Sequence, residues 1–335
     1  MISLLLGVVM LVSCLLTFFI RRFAVKKQLL DIPNERSAHS QPTPRGGGLA
    51  IVVSFLLPLF GVAMLYGDST ALVAVIGVAA GMVACIGWLD DHGHVQARWR
   101  LLVHAVAGVL LIAFLGAVTE LQVGSWLLPL GGLGIVITLV AIVWVVNLFN
   151  FMDGIDGLTA METIFVSVVM ACFIWWLQGS IVLFWMWLLL AAATVGFFVW
   201  NFPVAKIFMG DVGSGFLGLT VAALMLASVQ HNPLLLWSGL IVLGVFIVDA
   251  TMTLSRRALA REAVHQAHSS HAYQHAARRF NSHSKVTQCV FFINLCWLLP
   301  LAFAVVSGWL GGVSGLLIAY TPLLILGWYL KAGCK

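Results

Sequence analysis

The chain of 335 residues is 62% hydrophobic and only 9% charged, against about 25% charged in soluble domains, and its mean hydropathy is +1.07. A water-soluble fold of this size has no interior large enough to hide that much apolar surface, so a soluble globular enzyme and a disordered chain are both excluded. The net charge of +5, from 17 Lys and Arg against 12 Asp and Glu, hints at nucleic acid in a soluble protein; here a lipid bilayer accounts for it, with no nucleic-acid partner.

A membrane-crossing helix needs about 20 mainly apolar residues. In chain order such windows fall at 2–20, 46–66, 70–89, 101–117, 130–148, 158–177, 181–200, 213–229, 234–254, 287–307 and 311–330. They predict an all-α integral membrane protein with about 10–11 transmembrane helices, a single polytopic domain over 1–335. The first window has no basic residue before it and no small-residue cleavage site, and Arg21-Arg22 follows it directly. That pattern is expected of a retained helix with its N-terminus outside. The connections near 21–45, 90–100, 149–157, 201–212 and 255–286 and the C-terminus then become cytoplasmic. All 17 Lys and Arg lie on these segments and none on the opposite ones, as the positive-inside rule requires.

The six cysteines, Cys14, Cys85, Cys172, Cys289, Cys296 and Cys334, form no C-x-x-C pair and lie mostly inside apolar runs. Neither a zinc site nor a disulfide framework is indicated, and they are expected to be small core residues.

Nine of the 12 acids fall on the basic face: Asp31, Glu35, Asp90, Asp91, Asp153, Asp156, Asp211, Asp249 and Glu262. Asp31, Glu35 and Glu262 are expected to be solvated loop acids. Asp249, about two turns before Arg256-Arg257, suits a structural ion pair. The others sit at helix ends, where ionisable groups in a membrane protein usually face a cavity or a partner. Glu162 lies about a turn inside its helix. Only Asp68 and Glu120 face outward.

Asn147-x-x-Asn150-x-x-Asp153-Gly154-x-Asp156-Gly157 concentrates oxygen ligands at a helix–loop–helix junction. Carboxylate and amide oxygens suit a hard ion such as Mg²⁺, or Mn²⁺ in its place, which shares its remaining positions with water and phosphate. Gly210-Asp211-x-Gly213-Ser214-Gly215 adds an acid beside free backbone amides at a helix start, where an anion can be held. Alone, a D-G-x-D or a G-x-G is a weak signal; three acidic junctions on one membrane face are a strong one. Arg98 and Arg100 follow the Asp pair and suit a phosphate or lipid headgroup, or ordinary interfacial anchoring. The 255–286 loop carries half of the 10 histidines. On one helix His268, His271 and His275 fall within roughly 60° of one another, a stripe that favours a diphosphate over a transition metal. His39, His104 and His231 are expected to be structural.

These residues carry a resemblance. Thr43-Pro44-Arg45-Gly46-Gly47-Gly48, Gly87-Trp88-Leu89-Asp90-Asp91, Asn147 through Gly157, and Phe208-Met209-Gly210-Asp211-Val212-Gly213-Ser214-Gly215 occur in family order. Together they resemble the polyprenyl-phosphate N-acetylhexosamine-1-phosphate transferases (the WecA/MraY superfamily, glycosyltransferase family 4), over essentially the whole chain. The resemblance implies transfer of a sugar-1-phosphate from a UDP-sugar to undecaprenyl phosphate, with Mg²⁺ and release of UMP, at the cytoplasmic face of the bacterial inner membrane. It implies Asp211 and Asn150 as metal ligands, and Asp90 and Asp91 as the acidic pair serving the lipid-phosphate acceptor. Asp153 and Asp156 become the nucleotide-side acids. Arg98, Arg100, Asn147, Gly210, His268 and His271 become substrate contacts, and a homodimer is compatible with the family.

In place of the compact H-x-H-H cluster of many relatives this chain has His268-Ser269-Ser270-His271-Ala272-Tyr273-Gln274. That form resembles the branch initiating O-antigen and other surface polysaccharides, often with 6-deoxy N-acetylated sugars. It argues against a MurNAc-pentapeptide donor. The competing reading is a transporter or lipid flippase, which would place ionisable residues near the bilayer midplane in repeated halves. Here the acids gather at one face and no internal repeat is evident.

Overall fold

The computed structural model describes residues 2–32, 42–65, 69–124, 126–262 and 269–334. Its helices are α1 (Ile2–Lys26), α2 (Gly48–Leu65), α3 (Thr70–His92), α4 (Ala97–Leu115), α5 (Gly131–Met152), α6 (Leu158–Trp176) and α7 (Ile181–Asn201). There follow α8 (Asp211–His231), α9 (Leu234–Val242), α10 (Gly244–Leu259), α11 (Ala272–Phe280), α12 (His283–Ile293), α13 (Leu299–Val306) and α14 (Gly312–Tyr329). A π-helical turn, Asn294–Leu298, joins α12 to α13. Among the described residues there are also two antiparallel ribbons: β1 (Leu30–Asp31) with β2 (Thr43–Pro44), and β3 (Glu120–Val123) with β4 (Trp126–Pro129).

Each predicted window holds helix. Among the described residues, 9 spans are long and apolar enough to cross a membrane, with α12 and α13 forming one of them. The 234–254 window is not straight: α9 and α10 meet at 71°. The bend falls at Leu243-Gly244, where a Cβ on Gly244 would lie 3.2–3.3 Å from the side chains of Tyr320, Leu298 and Leu323. The 46–66 window gives the shorter apolar stretch Gly48–Val62.

At the centre stands α8, apolar around its whole circumference and buried from Val212 through Val229. It packs against α3 and α5 most extensively, and against α2, α4, α6, α7 and α9. The outer helices expose large apolar chains, such as Phe19, Phe114, Val140 and Ile325, which suits acyl chains as solvent. The cysteines join this outer layer rather than the core. Cys85, Cys172, Cys289 and Cys296 are exposed, Cys14 and Cys334 half-buried, and all are free thiols. A window apolar on every side does not say which residues face protein and which face lipid.

The segments expected to share a face do so. The C-terminal ends of α3, α5 and α7 and the N-terminal ends of α4, α6 and α8 are tied by side-chain hydrogen bonds, among them Gly157 N–H to Asn201 Oδ1 at 2.9 Å. Arg21 Nε at the end of α1 donates to the Lys206 carbonyl at 3.1 Å. The β3–β4 ribbon lies at the far end of the bundle, where the Trp237 indole donates to the Gln122 carbonyl at 2.7 Å and Gln230 to that of Ala117 at 3.1 Å.

Candidate active site

The site begins at the N-terminus of α8. Its capping position is Gly210, which has no side chain and stands at φ +78°. The missing cap comes from another helix: Asp91, in the last turn of α3, accepts from the Asp211 and Val212 amides at 2.9 and 3.0 Å. A carboxylate there satisfies two orphan donors and meets the positive end of the helix dipole. Glycines permit the approach. A Cβ on Gly210 would sit 2.6 Å from Asp91 Oδ2, and one on Gly87 would sit 2.3 Å from the Asp211 carbonyl oxygen. The amides expected to hold a substrate anion are therefore given to Asp91, whose side chain is only 3% exposed. The paired aspartates thus part in their contacts: Asp91 meets the start of α8 and Arg45, Asp90 meets Arg100 and the Val95 amide.

The T-P-R-G-G-G segment lies along the strip before α8. Phe208 N–H donates to the Pro44 carbonyl at 2.8 Å, and the Gly47 and Gly48 amides to those of Phe208 and Met209, each at 2.9 Å. This delivers Arg45: its Nε lies 2.9 Å from Asp91 Oδ1 and its Nη2 3.5 Å from Asp211 Oδ1.

Asp211 is the hub. Besides Arg45, its carboxylate meets Arg100 Nη1 at 3.2 Å and accepts from Asn150 Nδ2 at 2.9 Å. Arg100 also pairs with Asp90 Oδ2, while Asp90 Oδ1 accepts from the Val95 amide at 2.8 Å. Asn150 reaches Ser214 Oγ at 3.2 Å as well. Asp153 follows the end of α5; desolvation, with the Asp211 and Asp91 charges adding to it, pushes its carboxyl well above the usual carboxylate range. Asn147, one turn before Asn150, donates back to the Val143 carbonyl at 2.7 Å.

Two cavities meet at this cluster. A polar one of about 230 Å³ is lined by Arg45, Asp153, Asp156, Asn201, Phe208, Asp211 and His283, and also by Asp31, which had been expected to be merely solvated. In it Asp156 accepts from the Ala205 amide at 2.8 Å and pairs with His283 Nδ1 at 3.0 Å. The second is an apolar groove of about 860 Å³. It runs from Arg100 and Asn147 along Leu101, Ala105, Leu139, Val140, Val143 and Trp144. Asn150, Asp153, Gly154 and Gln274 line both.

The histidine stripe does not form on one helix. His268 lies outside the described residues, and α11 starts only at Ala272, with His271 at its cap. Asp249 terminates that helix in the way Asp91 terminates α8: it accepts from the Ala272 and Tyr273 amides, each at 2.9 Å, and lies 3.2 Å from His271 Nδ1. Its partners are thus His271, a helix start and the Thr253 hydroxyl, which donates to it at 3.1 Å, whereas Arg257 pairs with Glu262 at 3.2 Å. His271 is 2% exposed, against Phe151 and Tyr273 at the edge of the groove. His275 turns to the Cys334 carbonyl at 3.2 Å; burial, then Arg278, lowers its proton affinity. Arg98 is also apart from the cluster, exposed with its guanidinium 5.6 Å over Trp99. Two residues apart on one helix, Arg98 and Arg100 point in different directions.

Sequence reasoning left Arg45, Asn201, Phe208 and His283 out of the site. Arg45 and Phe208 stood inside recognised motifs, and that was their signal; Asn201 and His283 stood outside any motif.

Among the described residues, no three His, Cys, Asp or Glu form a preformed metal cage. Mg²⁺ seldom needs one, since one or two carboxylates plus substrate phosphates hold it. Asp211 and Asn150 fit that pattern: one carboxylate and one amide, in contact, with Asp153 beside the same two cavities.

Comparison with known proteins agrees with this architecture. Residues 48–229 match the family described as Glycosyl transferase family 4. A Bacillus subtilis protein named "Probable undecaprenyl-phosphate N-acetylglucosaminyl 1-phosphate transferase" is 28% identical over 294 residues, covering 85% of this chain and 79% of the relative. The decaprenyl-phosphate N-acetylglucosaminephosphotransferase of Mycolicibacterium smegmatis is 29% identical over 343 residues, covering 90% and 82%. The undecaprenyl-phosphate alpha-N-acetylglucosaminyl 1-phosphate transferase of Escherichia coli is 29% identical over 262 residues, covering 74% and 69%.

Proposed function

Since the chain belongs to glycosyl transferase family 4, we propose that it transfers an N-acetylated sugar-1-phosphate from a UDP-sugar to undecaprenyl phosphate. The products are UMP and a lipid-diphosphate sugar, made at the cytoplasmic face of the bacterial inner membrane. One observation carries this reading: a polar cavity and an apolar groove open onto the same Asn150–Asp153–Gly154 stretch beside Asp211. The cavity suits a nucleotide diphosphate, with the Phe208 ring, Asn201 and Asp156 along its wall. The groove suits a polyprenyl tail whose phosphate stops at Arg100.

An oxygen of the lipid phosphate attacks the sugar-bearing phosphorus of the donor, and the bond to the UMP oxygen breaks. Two anions must meet, so charge cancellation and alignment dominate. Arg100 and Arg45 supply positive charge on the two sides of Asp211. Mg²⁺, held by Asp211 and Asn150, would supply further charge cancellation on the diphosphate. A phosphate monoester with a second pKa near about 6 is already mostly ionised at pH 7. Asp90, engaged by Arg100, therefore orients the acceptor-side cation more than it removes a proton. Asp91 acts one step back, by holding the start of α8. The His271-Ala272-Tyr273-Gln274 segment favours the branch that initiates O-antigen or other surface polysaccharides.

The decisive assay is purified protein with undecaprenyl phosphate and a panel of UDP-sugars, including UDP-GlcNAc and N-acetylated 6-deoxy sugars, with UMP as the readout. Release of UMP with at least one sugar is expected; none with any of them would revive the transporter reading. Excess EDTA is expected to stop the reaction and Mg²⁺ to restore it, and turnover that persists in EDTA would remove the metal. Ala105→Trp, which fills the groove, is expected to raise the acceptor KM about tenfold or more while leaving the donor KM near wild type. A rise in the donor KM instead would reassign the groove.

A further inference from the structure

Glu162 lies in α6, one turn beyond its first residue, and is fully buried. Its Oε2 accepts from Asn294 Nδ2 at 2.5 Å. Asn294 opens the π-helical turn and is equally buried. The other oxygens of these two groups, Glu162 Oε1 and Asn294 Oδ1, have no hydrogen-bond partner among the described residues. Two acceptors are thus left over on two planar groups already joined by one bond. An ionised carboxylate brings no donor and would be costly in this interior. A protonated one brings an O–H, and the orphaned oxygen of Asn294 is an acceptor on the very group already bonded to it.

The same pair stands on a functional line. His283, Thr287 and Asn294 are spaced by 4 and 7 residues, which keeps them within about 40° on one helix face. All three touch the start of α6 or the loop before it. His283 Nδ1 lies 3.0 Å from Asp156 Oδ1, Thr287 Oγ1 donates to the Asp156 carbonyl at 2.9 Å, and Asn294 meets Glu162. Phe291 packs edge-on against Phe165 between them, ring centres 6.3 Å apart. A π-helical turn offsets the helix that follows it, and such turns recur near functional sites. Here the turn begins at the residue that grips Glu162.

We propose that Glu162 is held in its protonated form and makes with Asn294 a two-way carboxyl–carboxamide pair, which sets the register of α12 on α6 and so keeps His283 on Asp156. Glu162 and Asn294 are positioning residues: neither lines the polar cavity or the apolar groove, and both act through the wall of the polar one. The functional half rests on the reading of that cavity as the donor site.

The test has two arms. In the infrared difference spectrum of the full-length protein at neutral pH, wild type minus Glu162→Gln, the carbonyl stretch of a protonated carboxylic acid is expected. Its absence overturns the pair, and this arm needs no turnover. In the kinetic arm Glu162→Gln, whose amide can make both bonds to Asn294, keeps the donor KM within about twofold of wild type. Asn294→Leu raises the donor KM about tenfold with the acceptor KM unchanged, and His283→Ala does the same. Damage in Glu162→Gln equal to that in Asn294→Leu would overturn the proposal. So would an Asn294→Leu that loses kcat with both KM values intact, the mark of a merely structural contact. Should Asn294→Leu not fold, Asn294→Gln carries the same comparison. If no sugar yields UMP even in wild type, the cavity reading fails while the infrared arm still decides the pair.

Discussion

Asp211→Asn is expected to lower transfer by about 10³-fold or more while leaving yield, membrane insertion and Tm near wild type. The side chain and the backbone of this residue do separate work. Its amide is held by Asp91 at 2.9 Å and helps fix the start of α8. Its carboxylate faces Arg45, Arg100 and Asn150, is 21% exposed, and lines the polar cavity. An amide in its place keeps the shape and loses the charge that two arginines and a divalent ion would gather around. UMP release by purified variant and wild type, alongside their melting curves, checks this. Near-normal turnover would remove Asp211 from the centre of the site.

Asp91→Asn is expected to fail differently, losing stability and activity together. Both Asp91 oxygens accept from the first amides of α8, and Arg45 donates to one of them. A carboxamide offers one oxygen and turns an NH₂ toward donors. Loss of such a cap costs about 1–2 kcal/mol, and a displaced α8 start would move Asp211. A misplacement of about 1 Å at a reacting group can cost about 10²-fold in rate. A lowered Tm accompanied by a similar loss of transfer is therefore expected. If instead transfer falls at an unchanged Tm, Asp91 reaches substrate itself.

The contrast between these neighbours marks what could be read from the residues alone. The spans were legible because a bilayer demands long apolar runs, and the shared face because every Lys and Arg falls on one set of connections. The acidic junctions were legible because each is local in sequence. The division of labour within Asp90-Asp91 was not, because it depends on a helix start 120 residues away. For the same reason Arg45 enters the cluster while Arg98 does not: a strip of backbone bonds to Phe208 and Met209 carries one in, and helix phase turns the other out. The histidine stripe presumed a continuous helix through His268 and His275, but Asp249 starts α11 at Ala272. Cysteine placement was illegible because hydropathy does not distinguish a lipid neighbour from a protein one.

The central helix has one more consequence. Hydrophobic mismatch acts on helices that touch lipid, which tilt or shift as a bilayer thins or thickens. With every residue from Val212 to Val229 covered by protein, α8 is insulated from that force. The chemistry proposed at the head of α8 thus hangs from an inner mast that does not itself meet the acyl chains.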